Sequence, residues 1–467
     1  MSIIMISFSI LFSVFVAIRP FKIGKIQFDI VTGPLISLFM LFAFKILDFE
    51  TIKIGIIGKG NIKPWEIIII FFSVAYVSIS TDVTGVFDYL AYRIVNMAKG
   101  NKFKLFLFFY LFACVLTTFT SNDIVILTLT PIIFYLGNHS DINVVPLLFA
   151  EYFGANTLSM FLYIGNPTNI IVGNALQLGF LEYTKIMWLP TIIATIINFI
   201  LLSMVFRKQI TGEYIIRNNT KFYIRNRAGA LLSSFLMLVM LAVLASSQIL
   251  GIPIWVITLV SAFIFIIEDI AFGIFFTMKE NFVLSTELEI NKHKLYSIYG
   301  IPEQKNEFWM AFKDTPWKIL PFIFSVFIFV HGLNQYGVVN WVADIISNSS
   351  KTLLNGIILN GILGLILTNI INNQPMTIFL SSVLVSQSFN VPHNIQIGSS
   401  YSIIIASNLG ANITLVGALA GFMWKNILET KGLKITYTDF LIKGLLITPI
   451  TFCVTLSVLY FVLSKVK

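Results

Sequence analysis

The chain has 467 residues, of which 57% are hydrophobic and only 11% charged, and its mean hydropathy is +0.88. An average soluble domain carries roughly 25% charged residues, so this composition excludes a soluble globular protein and indicates an all-α polytopic membrane protein. The net charge of +9, from 31 Lys and Arg against 22 Asp and Glu, falls mostly in loops. There it sets sidedness and does not argue for nucleic acid.

The first apolar run, Ser2 to Ile18, lacks a basic leader, and Arg19-Pro20 stands where a cleavage site needs small residues, so it reads as a spanning helix and not a signal peptide. Further spans are expected at Asp29 to Leu47, Pro64 to Ser80, Val144 to Leu178, Tyr183 to Phe206, Ala230 to Leu250, Ile252 to Phe272, Trp317 to Val330, Gly398 to Met423 and Phe440 to Leu463. Apolar length thus gives about ten crossings. Two other stretches, Phe103 to Leu136 and Thr352 to Gln387, are too long for one helix and are interrupted by Thr120-Ser121-Asn122-Asp123 and by Asn372-Asn373-Gln374-Pro375. Each predicts a re-entrant hairpin with the polar string at its tip.

Two spans are broken in the same manner, by Asn156 through Gly165-Asn166-Pro167-Thr168-Asn169 and by Ser407-Asn408-Leu409-Gly410-Ala411-Asn412. Irregular, amide-rich backbone at membrane depth is tolerated only where it is buried in protein or lines a polar cavity, because lipid cannot satisfy freed N–H and C=O groups. A duplicated pattern of this kind predicts a transporter's central site. Gly85, Asn156 and Gly165 meet Gly337, Asn408 and Gly417 at one offset (337 − 85, 408 − 156 and 417 − 165 all equal 252). Each half then holds five crossings and one hairpin, an odd count that predicts an inverted-topology repeat. The first repeat is expected at residues 1–210, with its hairpin at 103–137 and broken helix at 144–178. A basic cytoplasmic loop at 211–229 separates it from a second repeat at 230–467. That repeat holds a cytoplasmic connector at 278–315, a hairpin at 352–388 and a broken helix at 398–423.

Sidedness follows from Arg207, Lys208, Arg217, Lys221, Arg225 and Arg227, which place their loop in the cytoplasm. Arg19, Lys22 and Lys25, then Lys99, Lys102 and Lys104, and finally Lys425, Lys431 and Lys434 fall on the same side; Lys53, Lys59, Lys63, Lys465 and Lys467 do not.

Ser121-Asn122-Asp123 followed by Leu127-Thr128-Leu129-Thr130-Pro131, then Ile164-Gly165-Asn166-Pro167-Thr168-Asn169, then Ser407 to Thr414 resemble the arsenite efflux permeases of the ion transporter superfamily, from about Pro64 to Leu463. The same superfamily holds divalent-anion symporters and citrate carriers. The resemblance implies two opposed hairpins meeting near the midplane, elevator-type alternating access and a homodimer, and leaves room for a soluble ATPase partner. The dicarboxylate symporters of this fold repeat Ser-Asn-Thr at both tips, whereas here the tips read Ser121-Asn122-Asp123 and Asn372-Asn373-Gln374. A carboxylate beside the cargo repels an anion and suits a neutral hydroxide such as arsenous acid, or a proton exchanged for it.

The expected substrate and ion site comprises Ser121, Asn122, Asp123, Asn156, Gly165, Asn166, Thr168, Asn169, Asn372, Asn373, Ser407, Asn408, Gly410 and Asn412. Asp123 and the intramembrane Glu151 are the candidates for proton coupling. Asp123 also reads as an ordinary helix cap, Glu151 as a buried protonated acid, and the asparagines as interhelical glue. Asp82, Asp88, Arg93 and Asp344 fall on short segments resembling interface helices at headgroup level. Glu268 and Asp269 read as the end of a span, and His331 as an interfacial histidine without a metal-spaced companion. Cys114 and Cys453 read as small core residues, too few for a thiolate arsenic or metal site. Metalloprotease, serine-nucleophile and nucleotide-loop motifs are absent, so neither enzyme chemistry nor a cofactor is expected. The sequence predicts a multi-pass cell-membrane carrier exchanging arsenite or antimonite for protons. The second reading is a sodium- or proton-coupled citrate or dicarboxylate carrier, and the third an ion channel.

Overall fold

A computed structural model describes residues 1–58, 62–215, 224–286 and 306–465. Lys59, Arg217, Lys221, Lys467 and the middle of the expected connector at 278–315 lie outside the described residues. The chain opens with α1 (Ser2–Ile18), a short hairpin of β1 (Phe21–Ile23) and β2 (Ile26–Phe28) in register Phe21 to Phe28, α2 (Thr32–Ala43) and α3 (Phe49–Ile57). One half then runs α4 (Pro64–Val83), α5 (Val86–Ala98), α6 (Lys102–Phe119), α7 (Asn122–Asn138), α8 (Val145–Leu158), α9 (Pro167–Ala175) and α10 (Phe180–Val205). After α11 (Arg227–Ala245), α12 (Ser247–Leu250), α13 (Ile254–Thr286) and α14 (Glu307–Asp314), the order recurs. It continues as α15 (Leu320–Gln335), α16 (Val338–Ser349), α17 (Leu353–Ile371), α18 (Asn373–Leu384), α19 (His393–Gly410), α20 (Leu419–Thr430) and α21 (Tyr437–Lys465).

Among the described residues, eight helices are long and apolar enough to cross a membrane, and these include the first hairpin arms, α6 and α17. The expected span at Asp29 to Leu47 shortens to α2, because Lys45 turns the chain through a positive φ of 56° and Asp48 caps α3 by accepting from the Thr51 amide. The expected span at Ala230 to Leu250 is likewise interrupted at Ser246. The second broken helix starts earlier than expected, at His393, since Pro392 opens it.

Several long helices carry one outer apolar face. On α17, Leu354, Ile358, Ile362, Ile366 and Ile370 form an exposed row at four-residue spacing, while Gly356, Asn360, Gly361, Gly364 and Thr368 face inward. The outer row is fit for lipid, and the small inner face lets α19 approach so closely that a Cβ on Gly364 would lie 2.9 Å from that of Ala406. Gly85 and Gly337 precede α5 and α16 in the left-handed conformation, at φ 84° and 76°, which favours glycine. At the centre the halves interlock. α7 packs on α20, α18 packs on α9, and Phe149, Tyr152, Trp424 and Phe440 knit α8, α20 and α21 into one aromatic cluster.

Glu268 and Asp269 do not end a span. They lie within α13 and are buried, because Tyr76 and Ser80 on α4 donate to the two Asp269 carboxylate oxygens at 2.6 and 2.8 Å. Cys114 is buried as expected, whereas Cys453 is exposed on the outer face of α21.

Candidate functional site

Four breaks in the helical backbone come together. The first tip has Ser121 as its N-cap, its hydroxyl accepting from the Ile124 amide at 3.5 Å, so the capping role considered for Asp123 belongs to Ser121. The second tip is capped by Asn372, which accepts from the Gln374 amide at 3.3 Å and donates to the Val416 carbonyl at 2.8 Å. Its backbone stands at φ 73°, ψ 155°, a region populated essentially by glycine. Strain of that kind persists only where surrounding contacts over-determine it. α9 starts at Asn166, whose Oδ1 accepts from both the amide and the hydroxyl of Thr168.

Side-chain amides tie these breaks into one cluster. Asn122 donates to Asn156 at 2.8 Å, and Asn156 donates in turn to Asn412 at 3.0 Å. Asn408 Oδ1 accepts from Ser159 at 2.6 Å and Asn166 at 2.9 Å, while its Nδ2 donates to Asn169 Oδ1 at 2.8 Å. Ser407 donates to the Thr168 hydroxyl at 3.0 Å, and Asn373 reaches the Ser407 carbonyl at 3.4 Å. These residues are at most 5% exposed, and bonds from each half end on the other.

Three glycines make the crowding feasible. A Cβ on Gly165 would collide with the Ser159 carbonyl, and one on Gly417 would lie 2.9 Å from Ala411 Cα, the equivalent pair at the offset of 252 (417 − 165 and 411 − 159). A Cβ on Gly410 would lie 3.0 Å from Thr368 Cγ2. Of the sequence-expected residues, Asn122, Asn156, Asn166, Thr168, Asn169, Asn373, Ser407, Asn408 and Asn412 are joined by hydrogen bonds, while Ser121, Gly165, Asn372 and Gly410 lie at the breaks themselves. Asp123 follows Asn122 with no hydrogen bond to the cluster among the described residues, and Glu151 lies along α8 and accepts from Thr130 at 2.7 Å.

Sequence reasoning missed Ser159, Thr157 and Asn198, and placed Gln374 at the second tip without counting it in the site. Asn198, the lone amide of α10, donates to Thr157 at 2.5 Å and could have been found as an intramembrane polar residue. Ser159 carries no such signal, since serine is common in membrane helices.

Hydrogen-bond accounting shows what the cluster lacks. Asn122 Oδ1 and Gln374 Oε1 are buried acceptors without a donor, and Asp123, 5% exposed, accepts no hydrogen bond among the described residues. The sequence contains neither Lys nor Arg between Lys104 and Lys185, nor between Lys351 and Lys425. The site thus offers open acceptors, helix N-termini and one acid, but no cationic side chain of its own segments.

The sequence model of a family described as "Citrate transporter" matches residues 14–398. The chain is 25% identical over 406 residues to an arsenical pump membrane protein of Escherichia coli, covering 86% of this chain and 87% of that protein. It is 24% identical over 422 residues to the protein of the same description from Yersinia enterocolitica, covering 88% and 90%. A 46 kDa membrane protein of Mycobacterium leprae is 22% identical over 398 residues, covering 83% and 84%.

Proposed function

The chain belongs to the citrate transporter family and is a multi-pass secondary transporter of the cell membrane; we propose that its cargo is arsenite or antimonite, expelled in exchange for protons by alternating access. The observation that carries this reading is the pair of unfilled buried acceptors on Asn122 and Gln374, together with Asp123, which accepts no hydrogen bond among the described residues, in segments devoid of Lys and Arg. A buried acceptor without a donor is unfavourable. Arsenous acid is neutral near pH 7 and brings three hydroxyl donors, whereas citrate brings one hydroxyl and three carboxylates whose oxygens only accept and would meet the Asp123 carboxylate. The description of several relatives as arsenical pump membrane proteins points the same way.

In this reading Asp123 takes a proton from one side and gives it up on the other, with Glu151 as the second acid on the path. Residues 1–210 and 230–467 act as inverted repeats whose hairpins, α6–α7 and α17–α18, present their tips to the cluster. The coinciding Gly85/Gly337 and Gly165/Gly417 geometries support that division. A citrate or dicarboxylate cargo coupled to sodium or protons is the second reading. It is favoured by the family description and by the N-termini of α7, α9 and α18, whose partial positive charge suits an anion. Uptake of labelled arsenite and labelled citrate by the same everted vesicles, with and without a pH gradient, separates the two.

A further inference from the structure

A polar cavity of about 320 Å³ lies at the end of α9 remote from the central cluster. Its wall includes Glu66 of α4, Asn174 of α9, Gln177 just beyond it, and Ser247 and Gln248 of α12. Glu66 and Asn174 are each only 8% exposed. The Glu66 carboxylate is held between Lys63, at 3.0 Å, and the Asn174 amide, also at 3.0 Å. Lys63 therefore already balances its charge, leaving little to attract a cation. Asn174 Oδ1 is buried without a donor, and Gln248, laid over Gly179, makes no hydrogen bond among the described residues.

We infer that this cavity is a second binding site for a small, uncharged, hydroxyl-bearing solute. The inference rests on the proposed arsenite reading and extends it, because the same kind of unfilled acceptor recurs here without a free charge. Hydroxyls of the solute donate to Asn174 Oδ1 and to the Glu66 carboxylate, and the Gln248 amide donates to a solute oxygen. α9 has nine residues, so its two ends are only ~13 Å apart. Its first turn carries Thr168 and Asn169 in the central cluster, and its last carries Asn174 in the cavity wall. Tyr163 packs hard against Gly173 and donates to the Ile170 carbonyl, which fixes the wall between the two sites. One short helix thus joins a central site to a station near the protein surface. A solute leaving the first would pause in the second.

The test is equilibrium dialysis of labelled arsenite against the purified full-length protein in detergent. Two classes of binding site are expected for the unmodified chain. Asn174→Leu should weaken one class by about tenfold, the effect of losing a hydrogen bond at a buried acceptor, Gln248→Leu should weaken the same class by a smaller factor, and both should spare the other. Gln248 is exposed, so its variant keeps the fold even if Asn174→Leu disturbs packing. Asn408→Leu, in the central cluster, should remove the other class and keep this one. A single class that Asn408→Leu removes and both cavity variants leave intact overturns the second site while the transport reading stands. Citrate binding without any arsenite binding overturns the transport reading and, with it, this site.

Discussion

At the scale of single residues, Asp123 bears on the proposed proton exchange and Gly165 on packing. Asp123 follows the first residue of α7, is buried, and accepts no hydrogen bond among the described residues; in the proposed reading it carries the exchanged proton. Asp123→Asn keeps the shape and removes the titration. It is expected to reduce pH-driven arsenite accumulation to background while retaining arsenite binding in dialysis; accumulation at the normal rate would move the coupling role to Glu151. Gly165 instead allows α8 and α9 to meet backbone to backbone at Ser159. Gly165→Ala should insert normally yet transport poorly, with a stability loss of about 1–3 kcal/mol from overpacking, read as a lower unfolding temperature beside a surface control. Asn372 offers a test of strain. Asn372→Ala should be less stable than Asn372→Gly by about 1–3 kcal/mol, because alanine cannot relax a φ of 73° with ψ 155°.

At the scale of elements, the breaks in the helical backbone were legible because a run of amides and hydroxyls stands out against apolar sequence. The predicted strings Thr120 to Asp123 and Asn372 to Pro375 coincide with the breaks between α6 and α7 and between α17 and α18. Glu268 and Asp269 were misread because local hydropathy sees two charges as a helix end, whereas the partner that buries Asp269, Tyr76, is 193 residues away. The short α3 was missed for a similar reason, since Lys53 and Glu50 interrupt its apolar pattern. Cys453 was misread as a core residue because a lipid-facing position and a core position share one composition in a membrane helix. Asn166 tests the element level directly: its Oδ1 caps α9 and its amide reaches Asn408. Asn166→Asp preserves the cap and loses the donor, while Asn166→Ala loses both. Transport should fall in both variants, but thermal stability should drop by about 1 kcal/mol more in Asn166→Ala.

At the scale of the whole molecule, the offset of 252 expected from Gly85, Asn156 and Gly165 recurs in the shared left-handed glycines and in the paired close approaches at Gly165 and Gly417. The packing of α7 on α20 and α18 on α9 could not be read from sequence, because no local pattern records which helices interlock. Orientation is accessible by labelling. In a chain with Cys453 replaced by Ser, Lys208→Cys should resist an impermeant thiol reagent applied outside intact cells, and Lys351→Cys should react. Lys351 serves better than its neighbour Ser350, which is fully buried. The reverse pattern would invert the sidedness.

The central claim is that the open acceptors of the helix-break cluster take a neutral hydroxylated cargo driven by protons. Everted membrane vesicles given an inward-acid pH gradient, with labelled arsenite or labelled citrate outside, test it most directly. The account predicts saturable arsenite accumulation that collapses with the gradient and is lost in Asp123→Asn, with no accumulation of citrate. Citrate accumulation at a normal rate, with arsenite left at equilibrium, would contradict it.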